Sequence, residues 1–147
     1  MLRFLFALTA IAFAPAAFAA DVKQMEANKK AVTEFYDLAI NQKNFEAASK
    51  FIGPRYVQHN PGAADGAEGL KGFLAFLREK FPNYHSDIKR VFADGDYVIL
   101  HVHNIPTPGT RGNAIMDIFK LENGKVVEHW DVRQEIPEKP ANSNTMF

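Results

Sequence analysis

Three observations in this sequence predict an α+β fold. Three amphipathic helical stretches come first, alternating strand patterns come after them, and the last two strands are joined at Asn123-Gly124, a dipeptide suited to the positive φ of a tight hairpin. Helices and strands segregated along the chain in this way pack as a helical layer on one face of an antiparallel sheet.

The first helix is expected from about Val22 to Ile40 with Asp21 as its cap, because Met25, Asn28, Val32, Phe35 and Ala39 step by three and four along one face. Asn41 ends it. A shorter helix runs from Asn44 to Ile52, presenting Phe45, Ala48, Phe51 and Ile52, with Gly53-Pro54 as the stop. Arg55 to Pro61 is short and polar and reads as an ordered loop, its proline biasing Asn60 toward extended geometry. Gly62 to Gly69 holds two acids and no Lys, so it reads as a linker and not a phosphate-binding loop. A third helix, about Ala67 to Phe81, carries Leu70, Phe73, Leu74, Leu77 and Phe81 on one stripe before Pro82.

Strands are expected over Tyr84–Ala93 and Tyr97–Asn104, turned by Asp94-Gly95-Asp96, followed by an exposed connection from Pro106 to Gly112. The closing hairpin runs from Asn113 to Leu121 and from Val126 to Arg133, and its register decides which side chains meet. A two-residue Asn123-Gly124 loop pairs Glu122 with Lys125 and sets Asp117 against Trp130. A three-residue loop with Gly124 as the bulge residue sets Asp117 against His129, Ile115 against Asp131 and Met116 against Trp130. The second register is preferred, because opposed side chains share a face and like should meet like. It gathers Asp117, His129 and Asp131 among Ile115, Phe119 and Val127, with Met116 and Trp130 on the other face. Carboxylates and an imidazole in apolar company are costly to bury unless paired or functional.

The chain of 147 residues is 47% hydrophobic, with 17 basic and 17 acidic residues, which suits one globular domain. A pI near 7.0 offers no electrostatic basis for binding nucleic acid or an anionic membrane. The first residues are distinct: Arg3, the apolar run Phe4–Ala14 and the small residues of Ala17-Phe18-Ala19 have the form of a secretory signal. Residues 1–19 are therefore expected to be a cleavable signal peptide and residues 20–147 a single domain. That domain would be periplasmic or secreted, with no membrane attachment after cleavage. It holds no Cys, so no disulfide supports it and packing must.

Tyr56-Val-Gln-His-Asn-Pro61, the hairpin Asp117 to Asp131 and the closing Asn142-Ser-Asn-Thr-Met-Phe147 together resemble the SnoaL-like polyketide cyclase family of the nuclear transport factor 2-like superfamily. The resemblance covers the chain from about Asn28 onward. It implies a cone, in which a strongly curved mixed or antiparallel sheet wraps three N-terminal helices around a blind pocket, in homodimers. Members include cofactor-free enzymes for aldol cyclisation, isomerisation, dehydration or epoxide hydrolysis, and proteins that only bind ligands. In the cyclases an aspartate on the last strand is the general acid/base, and the matching residue is Asp131. Those enzymes carry a histidine on the preceding strand where this sequence has Asp117.

As acid/base, Asp131 needs a carboxyl moved toward neutrality, which an apolar cone supplies by desolvation while His129 orients it. The resemblance places His59 and Asn60 at the pocket rim, where imidazole and amide can polarise a carbonyl or enolate oxygen. Asp131, His129 and His59 are thus the expected catalytic residues, and Asn60, Asp117, His101 and Phe119 the expected substrate contacts. His101 and His103 share one face of a strand, but without a clear third ligand the pair does not make a metal site, and neither metal nor cofactor is expected. The two functions left open are an enzyme acting on a small carbonyl compound and a non-catalytic protein binding a small apolar ligand.

Overall fold

The computed structural model describes residues 14–147, with side chains from Asp21 onward. The expected signal segment lies outside the described residues apart from the backbone of residues 14–19. Helix α1 spans Ala14–Tyr36 and continues as a π-helical turn through Asp37–Asn41. It passes straight through Asp21, which is therefore no cap: the alanine-rich residues ahead of it are strong helix formers and extend the helix toward the N-terminus. Its buried stripe is the expected one, with Asn28, Val32, Phe35 and Ala39 all enclosed. The end of the helix is tied to the sheet by Asn41. Its amide donates to Asp37 Oδ1 at 3.0 Å and to the Ser86 carbonyl at 3.1 Å, while its Oδ1 accepts the Ser86 N–H at 2.9 Å. These bonds satisfy backbone groups that the unwinding helix would otherwise leave open.

Helix α2, Phe45–Ala48, is a single turn extended by a 3₁₀ turn over Ser49–Phe51, and Asn44 Oδ1 caps it by accepting the Ala47 N–H. Ile52 lies beyond it, because there the chain turns into strand β1, Ile52–Gln58. This corrects the loop expected from Arg55: the segment pairs in parallel with the last strand, Val57 beside Glu128 and Gln58 beside His129. Its polarity and Pro54 are tolerated because β1 is an edge strand, with one side free of partners and a register irregularity between Ile52 and Val57. Helix α3, Gly66–Lys80, buries Leu70, Leu74 and Leu77.

Strands β2 (His85–Asp94), β3 (Tyr97–Ile105), β4 (Asn113–Glu122) and β5 (Lys125–Glu135) complete a five-stranded mixed sheet in the order β1-β5-β4-β3-β2, in which only β1 and β5 run parallel. Val98, Leu100, Val102, Ile115, Phe119, Leu121 and Val126 point from its inner face into a core shared with Val32, Phe35 and Leu74. The alternate residues Phe92, Tyr97, Met116 and Val132 stand exposed on the outer face. The unstructured tail returns to that face, where the Phe147 ring lies over His103 and His101. The α+β expectation holds, with the helices on one side.

The hairpin register differs from the preferred one. Asn123 (φ 52°) and Gly124 (φ 72°) form a two-residue turn with both φ angles positive, and Glu122 pairs with Lys125. A bulge follows at once: Leu121 pairs with Val126 but Lys120 pairs with Glu128, so Val127 is the extra residue on β5. Without it Asp117 would oppose Trp130. With it Asp117 opposes Asp131, and Phe119 opposes His129. The face assignment therefore survives, because one inserted residue restores the parity that a three-residue loop would have supplied.

Candidate active site

Strand alternation on β4 and β5 carries the site. Asp117, Phe119, His129 and Asp131 point to the helix side and line a cavity of about 490 Å³, walled by Phe35, Ile40, Leu70, Phe73 and Ile115. The volume is that of a pocket for a small organic ligand.

The edge strand adds its own alternate residues. Tyr56, Gln58 and Asn60 face the cavity, while His59 faces outward, its ring stacked on Trp130 at 4.4 Å and its Nε2 3.1 Å from Glu128 Oε2. His59 thus does not join the site. The reason is the period of two: once Arg55–Asn60 is extended, Asn60 and His59 cannot both point inward. The same rule removes His101, which sits on the outer face with Nδ1 3.0 Å from Arg90. Val98, Leu100 and Val102 take the inner positions of β3, and that alternation is visible in the sequence.

Asn60 reaches Asp131 with one amide nitrogen, 2.6 and 2.8 Å from the two carboxylate oxygens. The amide is oriented by its other end, because Asn60 Oδ1 accepts the Gly62 N–H at 2.7 Å. Deeper in, Gln58 Oε1 accepts the Asn60 N–H at 2.8 Å and lies 3.0 Å from His129 Nδ1. An oxygen that already accepts from a backbone N–H can only accept again, so His129 donates through Nδ1. The other nitrogen, Nε2, is 3.1 Å from Asp117 Oδ1. One proton is therefore shared between Asp117 and His129, as carboxyl and imidazole or as carboxylate and imidazolium.

Asp117 is buried, and burial raises its carboxyl above the ordinary aspartate value; the hydrogen bond and the charge of His129 oppose this, and the nearby Asp131 charge adds to it. Its Oδ2 has no hydrogen-bond partner among the described residues. Burial also raises the phenols of Tyr36 and Tyr84, with the Asp117 charge as the next cause, and Tyr84 is pushed up to about 12. Both remain donors at neutral pH. Two carboxyls facing one another in different surroundings, one buried with a shared proton and one half-buried on an amide, separate the roles of acid and base.

Asp117, His129 and Asp131 also offer three ligand atoms within 4.8 Å of one another, the set among the described residues that could hold a metal ion. In this arrangement His129 Nε2 faces Asp117 Oδ1, both Asp131 oxygens accept from Asn60, and Asp117 Oδ2 has no partner among the described residues. Among the expected residues, Asp117, Phe119, His129, Asp131 and Asn60 are together in the cavity. Tyr56 and Gln58 join them; the loop expectation for Arg55–Pro61 hides both, although the Tyr-x-Gln-x-Asn alternation is a strand signal.

The raised Asp117 carboxyl has a measurable consequence. An acid whose folded value lies above its unfolded one binds more protons when folded, so stability falls as pH climbs through the interval between the two. Asn at this position does not titrate. The melting temperature of Asp117→Asn relative to the parent is thus expected to rise as pH climbs above the ordinary aspartate range. Thermal melts at constant ionic strength read this directly, and a difference that stays flat with pH would contradict a raised carboxyl.

The family model of the SnoaL-like domain matches residues 32–129. No curated protein matches the sequence. Among solved structures, a candidate polyketide cyclase from Bacillus cereus ATCC 10987 is 23% identical with a TM-score of 0.65, covering 76% of each chain. A second candidate polyketide cyclase, from Acidithiobacillus ferrooxidans, is 26% identical over 73% of this chain and 87% of its own, with a TM-score of 0.62. An LEH-like epoxide hydrolase of M. tuberculosis is 19% identical over 76% and 85%, with a TM-score of 0.63.

Proposed function

This chain belongs to the SnoaL-like family, and on that premise we propose that it is a cofactor-free acid/base enzyme of the aldol cyclase, lyase or isomerase type acting on a small carbonyl compound. Asp131 takes a proton from the carbon next to the carbonyl. The C–H electron pair becomes the enolate double bond, and the charge collects on the carbonyl oxygen. That oxygen is met by the proton that Asp117 and His129 share, with Asn60 and Gln58 holding base and imidazole in place. The observation that carries this reading is the direct opposition of Asp131 and Asp117 across the hairpin inside a cavity walled on its other side by Phe35, Ile40, Leu70 and Phe73. Neighbours of this fold named as candidate polyketide cyclases support the reaction class.

Exchange of the proton next to a carbonyl for deuterium tests it without knowledge of the later steps. A panel of small ketones and aldehydes incubated with the protein in deuterated water is expected to include members that gain mass above the buffer rate. No catalysed exchange across the panel would count against the enzyme. The second reading is a binding protein, favoured by the fact that both Asp131 oxygens already accept from Asn60.

Export and dimerisation belong to the same proposal. The signal pattern supports a mature chain starting at Ala20, and intact mass of protein recovered from the periplasm should give that terminus. The exposed Phe92, Tyr97, Met116 and Val132 on the outer sheet face support a homodimer through that face. Light scattering at tens of micromolar should then return twice the chain mass, and a monomer there would contradict it.

A further inference from the structure

Arg133 is the cationic side chain lining the cavity, and the acid/base reading leaves it unused. It stands two residues beyond Asp131 on β5, on the same face, and lines the cavity. Along that strand the lining residues grade outward, from buried His129 through half-buried Asp131 to exposed Arg133. Arg133 therefore marks the mouth. Among the described residues its side chain makes neither an ion pair nor a hydrogen bond; on the same hairpin Asp131 is engaged by Asn60, Asp117 by His129 and Glu128 by Lys120, while Glu135, two residues further out on the same face, forms no ion pair with it. The opposite position on β4 is Ile115, which offers it nothing.

We propose that the ligand is a keto acid, bound with its carboxylate on the Arg133 guanidinium at the mouth and its apolar remainder against Phe35, Leu70 and Phe73. A guanidinium is a planar fork of donors that fits a carboxylate through two parallel hydrogen bonds, and it is always charged. The charge count favours no more than a monoanion: Arg133 balances one added negative charge, whereas a dianion would leave a surplus repelled by the carboxylates of Asp131 and Glu135 on either side of it along the strand. Residues two apart on a strand are roughly 6–7 Å apart, so a carboxylate held at Arg133 brings a carbonyl a few bonds away alongside Asp131. The anchor thus fixes which carbon faces the base. This inference rests on the acid/base reading for its keto group, but the carboxylate anchor is tested by binding alone.

Benzoylpropionate and its methyl ester are a matched pair for calorimetric titration against the full chain. The parent is expected to bind the acid at least about tenfold more tightly than the ester, the contribution of a charge-assisted hydrogen bond. Arg133→Ala should bring the two together, and Arg133→Glu should favour the ester, with all three proteins melting alike because the side chain is exposed. Equal affinity of acid and ester for the parent, undetectable binding of both included, would overturn the proposal; so would a preference for the acid that persists in Arg133→Ala. Deuterium exchange on the bound acid separates the two readings. Arg133-dependent binding of the acid together with no exchange across the ketone and aldehyde panel sinks the acid/base reading and leaves the anchor standing, whereas exchange on an ester bound as tightly as the acid does the reverse.

Discussion

Asp131→Asn is expected to lower catalysed proton exchange by about 10²- to 10⁴-fold, the range supplied by a general acid/base group, with the loss on kcat and not on KM. The amide has the shape of the carboxylate but cannot take the proton, so the ground-state complex is preserved and only the transition state suffers. The fold should barely notice. Asn60 donates to both carboxylate oxygens, and in the variant one of those donors meets an amide N–H instead. Because Asp131 is only half-buried, water can satisfy the displaced donor, and the cost should stay near the low end of the roughly 1–3 kcal/mol charged for an unmet buried group. That corresponds to a fall in Tm of only a few degrees, at about 2–4 °C per kcal/mol for a chain of this size. Exchange rate and melting temperature measured on the same preparation decide the matter: a variant that melts far lower yet keeps its exchange rate would make Asp131 a scaffold residue.

Phe119→Ala is expected to be the costliest single change in the cavity wall, at about 3–5 kcal/mol, or roughly 10 °C in Tm. Phe119 is 2% exposed, and its ring meets Phe35 edge-on at 5.9 Å and Tyr36 at 6.4 Å, so it joins the helix layer to the sheet. Its truncation leaves a void that three packed elements can collapse into only in part. Its ring also lies 4.7 Å from that of His129. With that support removed, the imidazole should be less well held on Asp117, and exchange by the protein that remains folded should fall as well. Phe119→Leu separates the effects, because most of the volume returns while the flat surface under the imidazole does not. A Phe119→Ala protein that loses less than about 1 kcal/mol would show that the ring is a replaceable ligand contact and not the join between layers.

What the sequence by itself determined was whatever depends on local period and local turn chemistry. The stripe Asn28, Val32, Phe35 and Ala39, the third helix, the strands before and after Gly95 and the Asn123-Gly124 hairpin were all legible, because apolar spacing and φ-tolerant residues act over a few positions. So was the shared face of Asp117, His129 and Asp131. Tertiary structure decided the pairing behind that face. Nothing within the hairpin announces that Val127 is the extra residue; the bulge arises where β5 must also take β1 on its other edge. The strand character of Ile52–Gln58 was likewise set by a partner more than 70 residues away, since Gln58 is paired with His129, and a polar segment acquires strand geometry only when a neighbouring backbone completes its hydrogen bonds. From that one distant pairing follow the inward turn of Gln58 and Asn60, the outward turn of His59 and the direction in which His129 donates its proton.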